Sequence, residues 1–202
     1  MGATTQSAPG TAAKRPLRAD ARRNYEHLLA RAAEAFAERG ADDVSLEEIA
    51  RRAGVGIGTL YRHFPTRQAL LEAVYRDQVE ALDRKAGELL TADSPGAALA
   101  EWLAALTAFG STKRSMNTSL LAMLGRESEL FTSCGAMLRD GTTALLTRAQ
   151  EAGVARTDVV GTDVLRLVHG LMLAADTPGD AGQADRMLSL VVAGLMINPE
   201  RP

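Results

Sequence analysis

The stretch from Ser45 to Leu71, SLEEIARRAGVGIGTLYRHFPTRQALL, constrains the fold more than any other, because helix signals follow one another with almost no slack. Ser45 and Glu48 have capping-box spacing: the hydroxyl accepts from a free amide of the first turn, and the carboxylate reaches back to the amide of Ser45. Leu46, Ile49, Ala50 and Ala53 then share one side of a short helix, with Glu47, Arg51 and Arg52 turned to water. Gly54 stands where a helix end needs positive φ. Val55 pins the turn, and Gly56 can open a second helix. That helix, Ile57 to about His63, stops before Pro65, since proline pushes its predecessor out of helical geometry. Two short helices across a glycine turn of this length make a helix-turn-helix, whose second helix suits a DNA major groove.

At these residues the chain resembles the TetR family of bacterial transcriptional regulators. The resemblance is carried by Ile49-Ala50, Ala53-Gly54-Val55, Gly58-Thr59-Leu60-Tyr61, His63-Phe64, Arg67 and Leu70-Leu71. It reaches back through Leu28-Leu29, Ala33, Phe36 and Gly40, and so covers about the first third of the chain. Many fixed offsets together are more specific than a lone glycine motif. The resemblance implies an all-α protein: a three-helix DNA-binding domain with a helix-turn-helix, then a helical ligand-binding and dimerisation bundle. It also implies that Thr59, Tyr61 and His63 contact the DNA backbone, with Tyr61 packed on the sugar-phosphate.

Helical phase sorts the recognition helix. Leu60 and Phe64, four apart, face inward with Val55, leaving Ile57, Gly58, Thr59, Tyr61, Arg62 and His63 outside. Arg62 is the residue here able to pair bidentately with guanine, for roughly 1–3 kcal/mol of discrimination. Gly56-Ile57-Gly58 occupies positions where polar base readers could sit, and Glu47 a position where a basic side chain would help. Base readout is then sparse, resting on apolar contact from Ile57, close backbone approach at the glycines, and DNA shape. Thr66 caps the following helix, whose first turn with Arg67 offers amides and a positive charge to phosphate. The expected DNA-facing set is therefore Ser45, Gly56, Ile57, Gly58, Thr59, Tyr61, Arg62, His63 and Arg67.

A net charge of −2 taken alone argues against a nucleic-acid binder. Its distribution does not. Residues 1–67 hold 11 Lys/Arg and 8 Asp/Glu, a net of +3, whereas residues 68–202 hold 12 and 17, a net of −5. Such asymmetry suits a DNA-reading end attached to one that does not touch DNA. With 46% hydrophobic residues and no apolar run longer than Leu190 to Ile197, the chain reads as globular, with no membrane span and no export signal. A single cysteine, Cys134, fits a reducing cytoplasm and is expected to be a small buried hydrophobe.

Met1 to about Asp20 is rich in Ala, Thr, Ser, Pro and Gly and lacks periodicity, so it reads as a disordered basic arm; its Lys14, Arg15 and Arg18 are placed for weak phosphate contact. Residues 21–66 form the DNA-binding domain. Its first helix, Ala21 to Arg39, braces the other two by burying Leu29, Ala33 and Phe36 against Ile49, Leu60 and Phe64, and Gly40 stops it. Residues 67–202 form the ligand-binding and dimerisation domain, opening with a connecting helix over 67–90, about 36 Å long. Ser94 and Pro95 start a further series of helices at about 95–109, 116–125, 127–152, 162–174 and 183–197, with Gly110-Ser111, Gly125 and Gly153 among their separators. No segment alternates with period two, so no strand is expected. Gln150 to Asp163 looks like the joint before the penultimate helix of TetR regulators with an SbtR-like C-terminal domain.

The large apolar residues of the middle helices are candidates for an effector pocket: Trp102, Leu106, Phe109, Met116, Leu120, Met123, Phe131, Met137 and Met172. Many are methionines, adaptable and polarizable, suited to a small, mainly apolar molecule. The same stripes also suit a plain bundle core. His169 reads either as a polar handle for the pocket or as a hydrogen-bonded core histidine, the plainer reading. The last two helices carry wide apolar faces, Leu165, Val168 and Leu171 on one and Met187, Leu190, Val191, Gly194 and Leu195 on the other. A two-fold four-helix bundle from two chains fits, setting two recognition helices about 34–36 Å apart or at a related spacing; packing within one chain is the alternative.

Enzyme readings fare poorly. Gly54-Val55-Gly56-Ile57-Gly58 follows no strand and fits neither nucleotide motif, and His27, His63 and His169 have no ligand spacing with Cys134. Neither a cofactor nor a metal is expected. The sequence thus points to a ligand-responsive repressor that binds a palindromic double-stranded DNA operator as a homodimer and is released by a small effector. The alternative is a helical small-molecule carrier or interaction protein with a vestigial DNA-binding head.

Overall fold

The computed structural model describes residues 14–112, 114–174 and 182–197. Among the described residues the chain forms nine helices and no sheet. They are α1 (Lys14–Arg39), α2 (Leu46–Arg52), α3 (Ile57–His63), α4 (Arg67–Leu89), α5 (Pro95–Thr112), α6 (Arg114–Leu124), α7 (Glu129–Glu151), α8 (Gly161–Ala174) and α9 (Gln183–Leu195). No described helix is long and apolar enough to cross a membrane.

Helix α1 begins at Lys14, seven residues before the expected start at Ala21, so Lys14, Arg15 and Arg18 belong to a helix and not to a disordered arm. Arg, Leu and Ala are good helix formers, and Pro16 lies in the first turn, where its missing N–H has no partner to lose. The expected arm over residues 1–13 lies outside the described residues. Leu28, Leu29 and Phe36 are buried against Ile49, Leu60 and Phe64, as the brace requires.

Gly54 takes φ +67°, and its amide closes back on Arg51 O at 3.1 Å while Val55 N reaches Ala50 O at 3.0 Å. The turn between α2 and α3 is therefore hydrogen-bonded backbone that a Cβ at Gly54 would strain. Half of the expected capping box is present: Ser45 Oγ accepts from Glu48 N at 3.1 Å. The Glu48 carboxylate does not turn back. It is held by Arg52 at 2.9 Å and Arg51 at 3.1 Å, charge-assisted partners stronger than a neutral amide.

The head is not cut off from the body by a gap. Its core continues through Leu70, Leu71 and Val74 of α4 into Met116 and Leu120 of α6 and Leu130 and Cys134 of α7. A second core surrounds Trp102, whose indole N–H donates to Thr142 Oγ1 at 3.0 Å. Two glycines act through the side chain they lack. A Cβ on Gly141 would meet Ala86 Cβ at 3.1 Å and the Trp102 ring at 3.3 Å, so α7 approaches α4 and α5 only because position 141 is bare. Gly110, expected to separate two helices, lies inside α5, and the Met172 thioether of α8 fills the space its side chain would take. The joint expected over 150–163 is a loop clasped by Gln150 Nε2, which donates to Arg156 O and Val159 O, and tied to the end of α9 by an antiparallel bridge, Ala155–Met196.

Candidate nucleic-acid interface and effector cavity

Helix α3 is short and two-faced. Leu60 and Phe64 are buried, while Ile57 and Tyr61 are 37% and 45% exposed, costly for apolar bodies unless something else covers them. Gly56, Gly58 and Arg62 share the open side, with Thr59 and His63 at its borders, half-buried. Gly56 caps the helix through its backbone alone, its carbonyl accepting from Thr59 N at 2.8 Å. His63 sets its ring edge-on to Tyr25 of α1 at 5.8 Å between centroids, which fixes where the end of α3 points. Ser45 is exposed at the start of α2 but committed to capping it.

The cations sort into tied and untied. Arg52 spans Glu38 at 2.6 Å and Glu48 at 2.9 Å, and these partners hold the Glu48 carboxyl below the usual range, Arg52 foremost and Arg51 next. Arg62 forms no ion pair among the described residues and stands exposed on α3. Arg67 corrects the expectation from sequence. Its guanidinium turns inward over the Phe36 ring, 5.9 Å from the centroid, and donates to Val44 O at 2.6 Å and to Ala41 O. It fastens the loop of residues 40–45 to α4 and is not presented to phosphate.

A cavity of about 550 Å³ lies between α4, α5, α6, α7 and α8. Of the expected pocket residues Leu106, Phe109, Phe131, His169 and Met172 line it. Trp102, Met116 and Leu120 do not and stand fully buried in the two cores; Met137 packs against the first core, and Met123 is exposed on α6. Unforeseen members are Tyr75 of α4, Asn117, Thr118 and Leu121 of α6, Arg126 after it, and Arg166 of α8. Tyr75 packs against Phe109 at 5.8 Å and Phe131 at 5.5 Å, and burial, with a smaller contribution from Cys134, pushes its phenol up to about 12.

The expected dimer faces also need correction. Val168, Leu171 and Leu195 are buried within their own chain, and Leu165 and Val168 line the cavity. An apolar helix can satisfy a neighbour and a cavity with one stripe, which periodicity alone does not separate from an intermolecular face. Met187 and Val191 are half-buried, whereas Leu190 is 73% exposed and Gly194 is open. Leu167 of α8, 52% exposed, joins that outer surface although the sequence reading passed over it.

Besides the shared core, polar contacts of α6 join the two regions. On α6, Ser119 Oγ lies 3.0 and 3.1 Å from the two carboxylate oxygens of Asp42, and Ser115 Oγ accepts from Ala41 N at 3.0 Å. The same helix lines the cavity through Asn117, Thr118 and Leu121. One side of α6 therefore holds the head's loop and the other meets whatever fills the cavity. No described group of three or more His, Cys, Asp or Glu residues is arranged to hold a metal ion.

Residues 28–74 match the family described as bacterial regulatory proteins, tetR family, and residues 94–197 match the SbtR-like transcriptional regulator C-terminal domain. The chain belongs to the TetR family of transcriptional regulators. A TetR transcriptional regulator from Streptomyces coelicolor is 37% identical, with a TM-score of 0.74, over 85% of this chain and 98% of that one. A TetR regulatory protein from Mycobacterium vanbaalenii is 34% identical with a TM-score of 0.72, over 90% of this chain and 100% of its own. Among curated relatives, a helix-turn-helix-type transcriptional regulator of Staphylococcus aureus is 39% identical over 54 residues, 27% of this chain. That match spans 29% of the curated relative's length, so it speaks for the TetR head alone.

Proposed function

We propose that this TetR-family regulator is a repressor that binds a pseudo-palindromic operator as a homodimer and is released by a small molecule with a mainly apolar body. The DNA-facing set is Gly56, Ile57, Gly58, Thr59, Tyr61, Arg62 and His63, with Ser45 at its margin. Arg62 reads a guanine, and Tyr61, Thr59 and His63 hold the backbone. The two copies join through the outer faces of α8 and α9, where Leu167, Leu190 and Gly194 are open.

The observation that carries the reading is the double attachment of the cavity to the head. Tyr75 brings α4 into the cavity wall, and α4 is the helix whose first residue, Arg67, fastens the head's loop. Helix α6 makes the second link, between the cavity and Asp42. An effector that displaces either helix moves the heads, and effector and operator oppose each other reciprocally with a coupling of roughly 1–3 kcal/mol.

Selection of bound DNA from random duplexes by the full protein tests this directly. The expected product is a two-fold symmetric site, bound at least a thousandfold more tightly than scrambled duplex at fixed salt. Binding that stays sequence-blind and purely salt-sensitive would identify a carrier with a vestigial head instead.

A further inference from the structure

The cavity's lining is uneven in chemistry. Its body is apolar, with Phe109, Phe131, Leu138 and Met172 among its members, and about 550 Å³ is room for a metabolite-sized molecule. Two arginines are among its lining residues: Arg126 between α6 and α7, and Arg166 of α8, followed one turn later by His169. Among the described residues no aspartate or glutamate lines the cavity. Several arginines elsewhere are engaged, Arg52 by two carboxylates, Arg156 by Asp158, Arg148 and Arg67 by backbone carbonyls, whereas Arg62 on α3 is not. Arg126 and Arg166 form no ion pair or hydrogen bond among the described residues, and both are exposed.

We infer that the cavity takes an amphipathic anion, its apolar body among the aromatic residues and its carboxylate or phosphate-type group held by Arg126 and Arg166. This rests on the effector reading above and narrows it. Two positive charges with no carboxylate partner among the described residues, set at an apolar cavity, make a positive potential that low-dielectric walls focus. The planar guanidinium offers paired donors matched to the two oxygens of an anionic group. Asn117 and Thr118 add neutral polar groups on the facing helix. Among the described lining residues a cationic ligand meets no counter-charge, and a neutral apolar one leaves both arginines unused. The placement also bears on signalling, since Arg126 follows directly on α6, the helix that holds Asp42.

A matched pair of fluorescent probes tests the assignment without DNA. 1-Anilinonaphthalene-8-sulfonate and N-phenyl-1-naphthylamine share one apolar body, and only the first carries an anion. The full protein is expected to bind the sulfonate about tenfold or more tightly than the amine. R126Q/R166Q should weaken the sulfonate about tenfold or more while leaving the amine nearly unchanged, which also shows that the variant is folded. L138W, which fills the cavity, should weaken both; should it fail to fold, L173W at the exposed rim should be quenched by both probes in turn. Decanoate and decyl phosphate then compete against the bound sulfonate to identify the anion, with decanol as the uncharged control. The assignment is overturned if the double variant binds the sulfonate like the parent, if the two probes bind equally or not at all, or if decanol competes as well as the anions. Those results would leave operator binding untouched, whereas failure of the DNA selection would leave the probe result standing.

Discussion

Arg62 and Arg67 are five positions apart and alike in charge, and the fold gives them opposite work. Arg62 stands free on α3, and Arg67 is spent on two backbone carbonyls and an aromatic face. Arg62→Ala is expected to leave stability within about 0.5 kcal/mol and to cost operator discrimination of roughly 1–3 kcal/mol, read by fluorescence anisotropy on selected and single-base-changed sites. Arg67→Ala should do the reverse. It leaves buried acceptors short of a donor, so unfolding free energy falls by about 1–3 kcal/mol, while the salt slope of operator binding stays unchanged; a lost phosphate contact would reduce that slope by about 0.9. The inward turn of Leu60 and Phe64 was legible, because spacing four apart on a short helix leaves one choice. The direction of Arg67 was not. A cation in a helix's first turn looks like a phosphate ligand until tertiary packing brings the Ala41 and Val44 carbonyls beneath it. Tyr75 was missed for a related reason: on the long helix it counts as one more core residue, and only the packing of α5 and α7 shows that it borders a cavity. Its buried phenol, raised to about 12 from an ordinary 10.0, ionises later in the folded chain than in the unfolded one. Stability is therefore full below about pH 10 and is lost as pH rises towards 12, by an amount on the order of 2–3 kcal/mol. Urea midpoints across that range should flatten in Tyr75→Phe.

Among the elements, helices announced themselves wherever a cap or a glycine marked an end. Ser45, Gly54, Thr66 and Gly40 each sit where the sequence placed a boundary. The start of α1 carried no such mark. Gly110 carried a false one, because a missing side chain can end a helix or admit a neighbour, and sequence does not distinguish the two. Gly141 belongs to the second kind: Gly141→Val should press on Ala86 and Trp102 and lower stability by about 1–3 kcal/mol in thermal or urea unfolding. Helix α6 gives a sharper case, for its role is to stand between two things. Ser119→Ala removes the hydroxyl facing Asp42 and nothing that lines the cavity. The expected outcome is operator affinity in the absence of ligand changed by less than about 1 kcal/mol, effector affinity unchanged, and coupling between the two reduced. Paired titrations, effector with and without operator, measure this; full coupling in the variant would assign the relay to α4 alone.

At the scale of the whole molecule, charge, core and symmetry bear on one question: which surface meets a second copy. The positive excess lies in the first 67 residues, and the acidic body should face away from DNA, so the outer side of α8 and α9 is the surface proposed for the partner. Helical periodicity located those helices but not the side that faces out. Val168, Leu171 and Leu195 are committed within their own chain, whereas Leu167 and Leu190 are 52% and 73% exposed. The two sets predict different failures. Leu167→Glu/Leu190→Glu places charge on a surface the single chain leaves open, so each chain should fold with an unchanged helical spectrum. In a dimer the same carboxylates are desolvated at an apolar contact without partners, at several kcal/mol. Sedimentation should then show a monomer at micromolar concentration. Operator affinity should fall steeply, because one head holds one half-site and loses the effective concentration that linkage gives the second. Leu195→Ala should instead lower stability by about 2–5 kcal/mol, the cost of a cavity in the chain's own core, and lose dimer only as it loses fold. If the double glutamate variant stays dimeric and binds operator like the parent, the partner meets another face, and the spacing of the two α3 helices must be set by different elements.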